Sequence, residues 1–119
     1  MRDTFWDFLD QLIQIHELVI DRPKGSHHPR FPVADWVYPL DYGYLQGTTT
    51  QDGGGIDVWL GASGNRVLTA VMLTVDMEKK DTELKLLLGC SDDEIYLALN
   101  FLNNGNMRAT ILYRPKEGL

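Results

Sequence analysis

Four aspartates fall in two pairs, and each pair brackets a turn. Asp52 and Asp57 flank the glycine run Gly53-Gly54-Gly55, and Asp76 and Asp81 stand five residues apart around Met77-Glu78-Lys79-Lys80. Carboxylates are hard oxygen donors, and Mg2+ takes few of them, from separated loops, while keeping several of its waters. The four groups make such a site if folding brings the two turns together. Acids at turns are also the ordinary solvated punctuation of a β protein, and spacing alone leaves that reading open. Charge agrees with a cation site: 11 Lys and Arg against 17 Asp and Glu give a net −6. That balance argues against nucleic acid, whose backbone is held by Lys and Arg. It favours cations, or anions that arrive already complexed with one.

Other reactive types carry less. His27 and His28, with His16, invite a zinc site, but adjacent histidines seldom converge on one metal and no cysteine lies nearby. Solvated loop histidines are expected. Gly53-Gly54-Gly55 is no phosphate-binding P-loop, because no Gly-Lys-Ser/Thr follows and the next residues alternate like a strand. The single cysteine, Cys90, allows no internal disulfide and is expected to be a small buried residue, with a reducing cytoplasm as the natural home. Acids and amides interrupt the apolar residues of the N-terminal stretch, so neither a signal peptide nor a membrane span is expected there.

The elements that must position these groups are legible in outline. Phe5, Phe8, Leu9, Leu12 and Ile13 recur at helical spacing from Phe5 to Glu17, behind a Thr4…Asp7 capping box. Leu18–Ile20 reads as a short strand. Pro23, Gly25, Pro29 and Pro32 then forbid regular structure to about Val33. Trp36–Tyr38, Tyr42–Leu45, Ile56–Leu60, Arg66–Val75, Glu83–Leu88 and Met107–Tyr113 have β texture. In Ile56–Leu60 the alternation puts Ile56, Val58 and Leu60 on one face and Asp57 and Trp59 on the other. Ser91-Asp92-Asp93-Glu94 opens a late helix that Asn104-Gly105 closes. All 119 residues are expected to form one mainly β domain with flanking helices. Many short strands with glycine-rich turns favour a closed, OB-like barrel of five or six strands.

Residues 38–60 also resemble the soluble family I inorganic pyrophosphatases. Tyr38-Pro39 and Asp41-Tyr42-Gly43-Tyr44 match a YPxDYGY-like segment, and Asp52-Gly53…Ile56-Asp57-Val58 matches the acidic signature D-G-D-P-x-D-V. Asp76 and Asp81 match the family's pair of metal-ligating aspartates. Asp21, in Val19-Ile20-Asp21-Arg22-Pro23, stands for a glutamate, and Arg30 for a phosphate-binding lysine. The resemblance implies Mg2+ held by Asp52, Asp57, Asp76, Asp81 and Asp21, with pyrophosphate held by Arg30, Tyr42 and Tyr38. It implies hydrolysis to phosphate and assembly into homo-oligomers, commonly hexamers.

The departures are specific. Gly54 replaces the family's general-base aspartate, leaving Asp57 as the catalytic candidate, and Gly55 replaces the proline. Glu83 stands where a phosphate-binding lysine is usual, with Lys85 close behind, and the late Tyr-Lys pair is missing. A non-catalytic binding or scaffold protein that kept the fold and lost the chemistry is therefore the alternative.

Overall fold

In the computed structural model, which describes residues 4–28 and 36–116, Thr4 and Asp7 cap the first helix reciprocally. The Thr4 hydroxyl accepts from the Asp7 amide (3.2 Å), and the Asp7 carboxylate accepts from the Thr4 amide (3.1 Å). Helix α1 (Phe5–Ile15) stops short of the expected Glu17, where His16 turns extended. The strands are β1 (Leu18–Arg22), β2 (Asp41–Leu45), β3 (Ile56–Leu60), β4 (Leu68–Asp76), β5 (Asp81–Leu88) and β6 (Met107–Tyr113), with α2 (Asp92–Leu102) before the last. None of the described helices is long and apolar enough to cross a membrane.

The six strands form one sheet in the order β1-β2-β3-β5-β4-β6. Every neighbouring pair is antiparallel except β3 and β5. The expected closed barrel is not what forms: β1 and β6 are the two edges of an open sheet. The physical reason lies in the cores. Leu9 and Ile13 of α1 pack with Val58, Val71, Leu86 and Leu88, whereas Ile95 and Ala98 of α2 pack with Trp59, Ala70, Met72 and Leu87. Successive residues of β3, β4 and β5 thus serve opposite faces, and a helix covers each. A sheet so covered buries both faces without closing on itself. Its central strands read as continuous apolar runs, such as Leu86-Leu87-Leu88, rather than as alternation. That is why Val58 and Trp59, expected on opposite faces, are both fully buried.

Trp36–Tyr38 forms no strand among the described residues; only the isolated bridge Val37–His27 remains of it. Pro39 lacks the amide a ladder needs, so Tyr38 enters the α2-side core from a loop instead. Gly43 has a steric explanation, since a Cβ there would collide with the Val19 carbonyl of β1.

Candidate functional site

The α2-facing side of the sheet turns from apolar to charged along its strands. On β3 the same face carries Trp59 and then Asp57, and on β5 it carries Leu87, then Lys85 and Glu83. Register extends the face sideways, pairing Tyr44 with Asp57, Tyr42 with Trp59, Thr74 with Glu83 and Asp76 with Asp81. Apart from Leu87, these residues line a cavity of about 460 Å³ together with Asp21, Arg22, Tyr38, Asp52, Glu78, Lys79 and Phe101. Seven carboxylates against three cations give it a net −4. Tyr38, Tyr42, Trp59 and Phe101 form its aromatic wall, with ring centroids 4.6–5.8 Å apart.

Lys85 is the centre of the charged end. Its ammonium is almost fully buried and donates to Tyr42 Oη (2.8 Å), Asp57 Oδ2 (2.8 Å) and Glu83 Oε1 (2.9 Å). Burial alone would pull its pKa down, but attraction to the Tyr42 oxygen, Asp57 and Glu83 outweighs this and moves it up. The Tyr42 hydroxyl is pushed up chiefly by its own burial, only partly offset by Lys85, so it stays neutral. Nearby, Arg22 donates to Tyr38 Oη (2.6 Å) and lies over the Tyr38 and Tyr42 rings, 5.7 and 6.0 Å from their centroids. Trp59 Nε1 is buried and has no hydrogen-bond partner among the described residues.

Asp21, Asp52, Asp57, Asp76 and Asp81 all reach this one cavity, as do Tyr38 and Tyr42. Arg30 lies outside the described residues. The turn aspartates also do local work. Asp52 Oδ1 accepts from the Thr50 hydroxyl and the Gly54 amide, bonds that lower its pKa. Asp76 Oδ1 accepts from the amides of Glu78 and Lys79 (2.9 and 3.1 Å), closing the β4–β5 hairpin. Asp52 and Asp76 thus hold their own turns while lining the cavity. Lys79 reaches the cavity, whereas Lys80 carries the hairpin's positive φ of 59°.

Lys85 and Arg22 hold larger places in the site than spacing foretold. A lone cation within Leu84-Lys85-Leu86-Leu87-Leu88 was the available signal, because a charge in a buried strand needs partners. His28 lines the cavity and stacks on Tyr38 at 6.0 Å. His16 Nδ1 lies 2.9 Å from the Leu12 carbonyl at the end of α1. Cys90 is half-buried, and burial pushes its thiol up to about 12, an unreactive group.

Mg2+ fits the cavity's donor chemistry, hard oxygens with excess negative charge, but not as an ion caged by protein. Among the described residues no three Asp, Glu, His or Cys side chains stand close enough together to hold a metal between them. Mg2+ bound through one or two carboxylates and substrate phosphates needs no such cage.

No protein-family model matches the sequence, and no curated protein resembles it closely enough to count as a relative. Solved structures do share its fold. An inorganic phosphatase from Anaplasma phagocytophilum superposes with a TM-score of 0.58 at 16% identity, over 81% of this chain and 81% of that one. An inorganic pyrophosphatase from Coxiella burnetii gives 0.54 at 16% identity, over 81% and 82%. At that identity the likeness is one of fold.

Proposed function

We propose that the acidic cavity takes pyrophosphate, or a related phosphoanhydride, as its Mg2+ complex and hydrolyses it to phosphate. The observation that carries the reading is the arrival of Asp52, Asp57, Asp76 and Asp81 at one cavity, from two separate turns, in a fold like that of an inorganic pyrophosphatase. A pocket of net −4 repels a bare polyanion, whereas a magnesium complex brings its own neutralising charge. One or two of Asp52, Asp76 and Asp81, with Asp21 as a further candidate, would hold the metal, which would supply charge neutralisation on the phosphate oxygens. Arg22, Lys79 and Tyr38 would supply donors for those oxygens, with Arg30 as a further candidate.

In the reaction a water oxygen forms a bond to one phosphorus while the bridging P–O bond breaks. The second phosphate leaves with the bridging oxygen and takes up the proton that the water gives up. Asp57, held by Lys85, accepts a hydrogen bond from the water and orients it. Orientation of this kind is most of what phosphoryl transfer asks of a protein. Gly54 provides no side chain for a stronger base, and turnover is slow by about 10²–10⁴-fold for want of one. The same reading carries a homo-oligomer, a hexamer in the first instance, working in the cytoplasm.

A second reading, a binding or scaffold protein without catalysis, is favoured by the engagement of Asp57 with Lys85. Phosphate release from magnesium pyrophosphate, measured beside calorimetric binding of the same complex, separates the two. Release that disappears in Asp57→Asn supports hydrolysis; binding without release supports the second reading. Neither binding nor release at millimolar complex ends both.

A further inference from the structure

We infer that the Lys85 ammonium is the resident cation of this cavity, neutralising Asp57 and Glu83 and thereby denying those two carboxylates to a divalent ion. This holds for the protein without substrate and does not depend on pyrophosphate being turned over.

The ammonium has three N–H donors, and the three oxygens of Tyr42, Asp57 and Glu83 use all of them at 2.8–2.9 Å. Its side chain is 6% exposed, against 31% for Asp57 and 22% for Glu83, so the cation lies deeper than the anions it serves. Its position is fixed from below. Leu86, Leu87 and Leu88 anchor β5 on both faces, and the Tyr42 ring beneath the ammonium (5.4 Å) packs on Trp59 at 4.6 Å. A buried cation so held leaves two partners only at a high cost. A divalent ion on Asp57 or Glu83 would stand within a few ångströms of it and be repelled. Asp52, in its turn, and Asp76 and Asp81, at the ends of β4 and β5, line the same cavity and form no salt bridge with a lysine among the described residues, although Asp52 feels the Lys79 charge and bonds to Glu83. The cavity is therefore divided between a lysine-neutralised end and a turn end open to an incoming cation.

The test is a titration of Mn2+ against the protein without pyrophosphate, following the free-ion electron spin resonance signal. The quantity read is the part of the binding that Asp57→Asn abolishes. For the natural chain and for Lys85→Arg this part is expected to be nil. In Lys85→Met, which leaves two partly buried carboxylates without a counterion, it is expected to appear, at an affinity at least about 100-fold above the detection limit that bounds the natural chain. If Lys85→Met does not fold by itself, millimolar Mg2+ is expected to restore its circular dichroism. The inference is overturned by Asp57-dependent Mn2+ binding in the natural chain. It is equally overturned if folded Lys85→Met gains no site, or if unfolded Lys85→Met is not restored by Mg2+. None of these readouts uses pyrophosphate, so failure of the hydrolase reading leaves them unmoved.

Discussion

The Tyr42 hydroxyl accepts a hydrogen bond from the Lys85 ammonium at 2.8 Å, inside a pocket that buries both side chains. This contact ties the aromatic wall of the cavity to its charged end. Tyr42→Phe keeps the ring packed on Trp59 and removes the hydroxyl, leaving Lys85 one bond short and taking away the Tyr42–Asp57 bond. The expected cost is about 1–3 kcal/mol in urea unfolding, the usual range for a lost bond to a charged group. The hydroxyl also has a pH signature. Its folded pKa is raised above the ordinary 10.0, so the folded chain keeps a proton that the unfolded chain loses. Its share of stability is constant below about pH 10 and declines above it. Phenolate absorbance of the native protein near pH 10 should be the same for Tyr42→Phe as for the natural chain. A smaller amplitude in the variant would mean that Tyr42 ionises normally.

Asp57→Asn should weaken the site in two ways at once. The amide cannot balance the Lys85 charge, and among the described residues Glu83 is left as its carboxylate partner. Because Asp57 is about one-third exposed, the expected destabilisation is about 1–3 kcal/mol, below the full cost of breaking a buried pair. Any magnesium-dependent release of phosphate should fall to background. The turn end is probed separately by Asp81→Asn, which should weaken binding of magnesium pyrophosphate while leaving urea stability within about 0.5 kcal/mol.

Gly54→Asp should raise turnover rather than damage the fold. A Cβ at Gly54 would meet only Asp52 Oδ1, at 3.4 Å, which is ordinary contact. Gly55 is different, since a Cβ there would press on the Leu45 carbonyl at 2.8 Å and the Tyr44 ring at 2.9 Å. The added carboxylate stands beside a turn of the cavity and supplies the missing proton acceptor. A gain of about 10²-fold in phosphate release is the expected order. Equal stability with no gain would show that the loss of activity lies elsewhere in the site.

The sequence made the elements legible where the pattern is local. Thr4 and Asp7, or Ser91 and Glu94, announce their helices because a capping box is complete within four residues. The edges of the sheet were not legible, because pairing β3 with β5 and β4 with β6 depends on contacts distant in sequence. A barrel and an open sheet between two helices share the same strand pattern. The acidic pairs were visible through spacing and resemblance, and Asp76 and Asp81 meet because they end one hairpin. Lys85 was visible only as an anomaly in an apolar run. Its partners Tyr42 and Asp57 lie 43 and 28 residues away, so nothing local pointed to them.

Glu94 supplies the last test, through acid. One carboxylate oxygen accepts from the Ser91 amide at 2.9 Å, and the other accepts from the Ala62 amide at 2.8 Å. The side chain thereby caps α2 and pins it to the chain leaving β3. These backbone bonds hold the carboxyl below its ordinary 4.5, so the folded state favours the ionised form. The resulting stability is present above the unfolded pKa and is lost as pH falls through the lower, folded value. Glu94→Ala should cost about 1 kcal/mol at neutral pH, as for other helix caps. The gap between the variant and the natural chain should narrow steadily below about pH 4.5 as the natural carboxylate is protonated. Urea unfolding of both proteins across that range measures it, and a gap independent of pH would mean that the Glu94 charge contributes nothing to the cap.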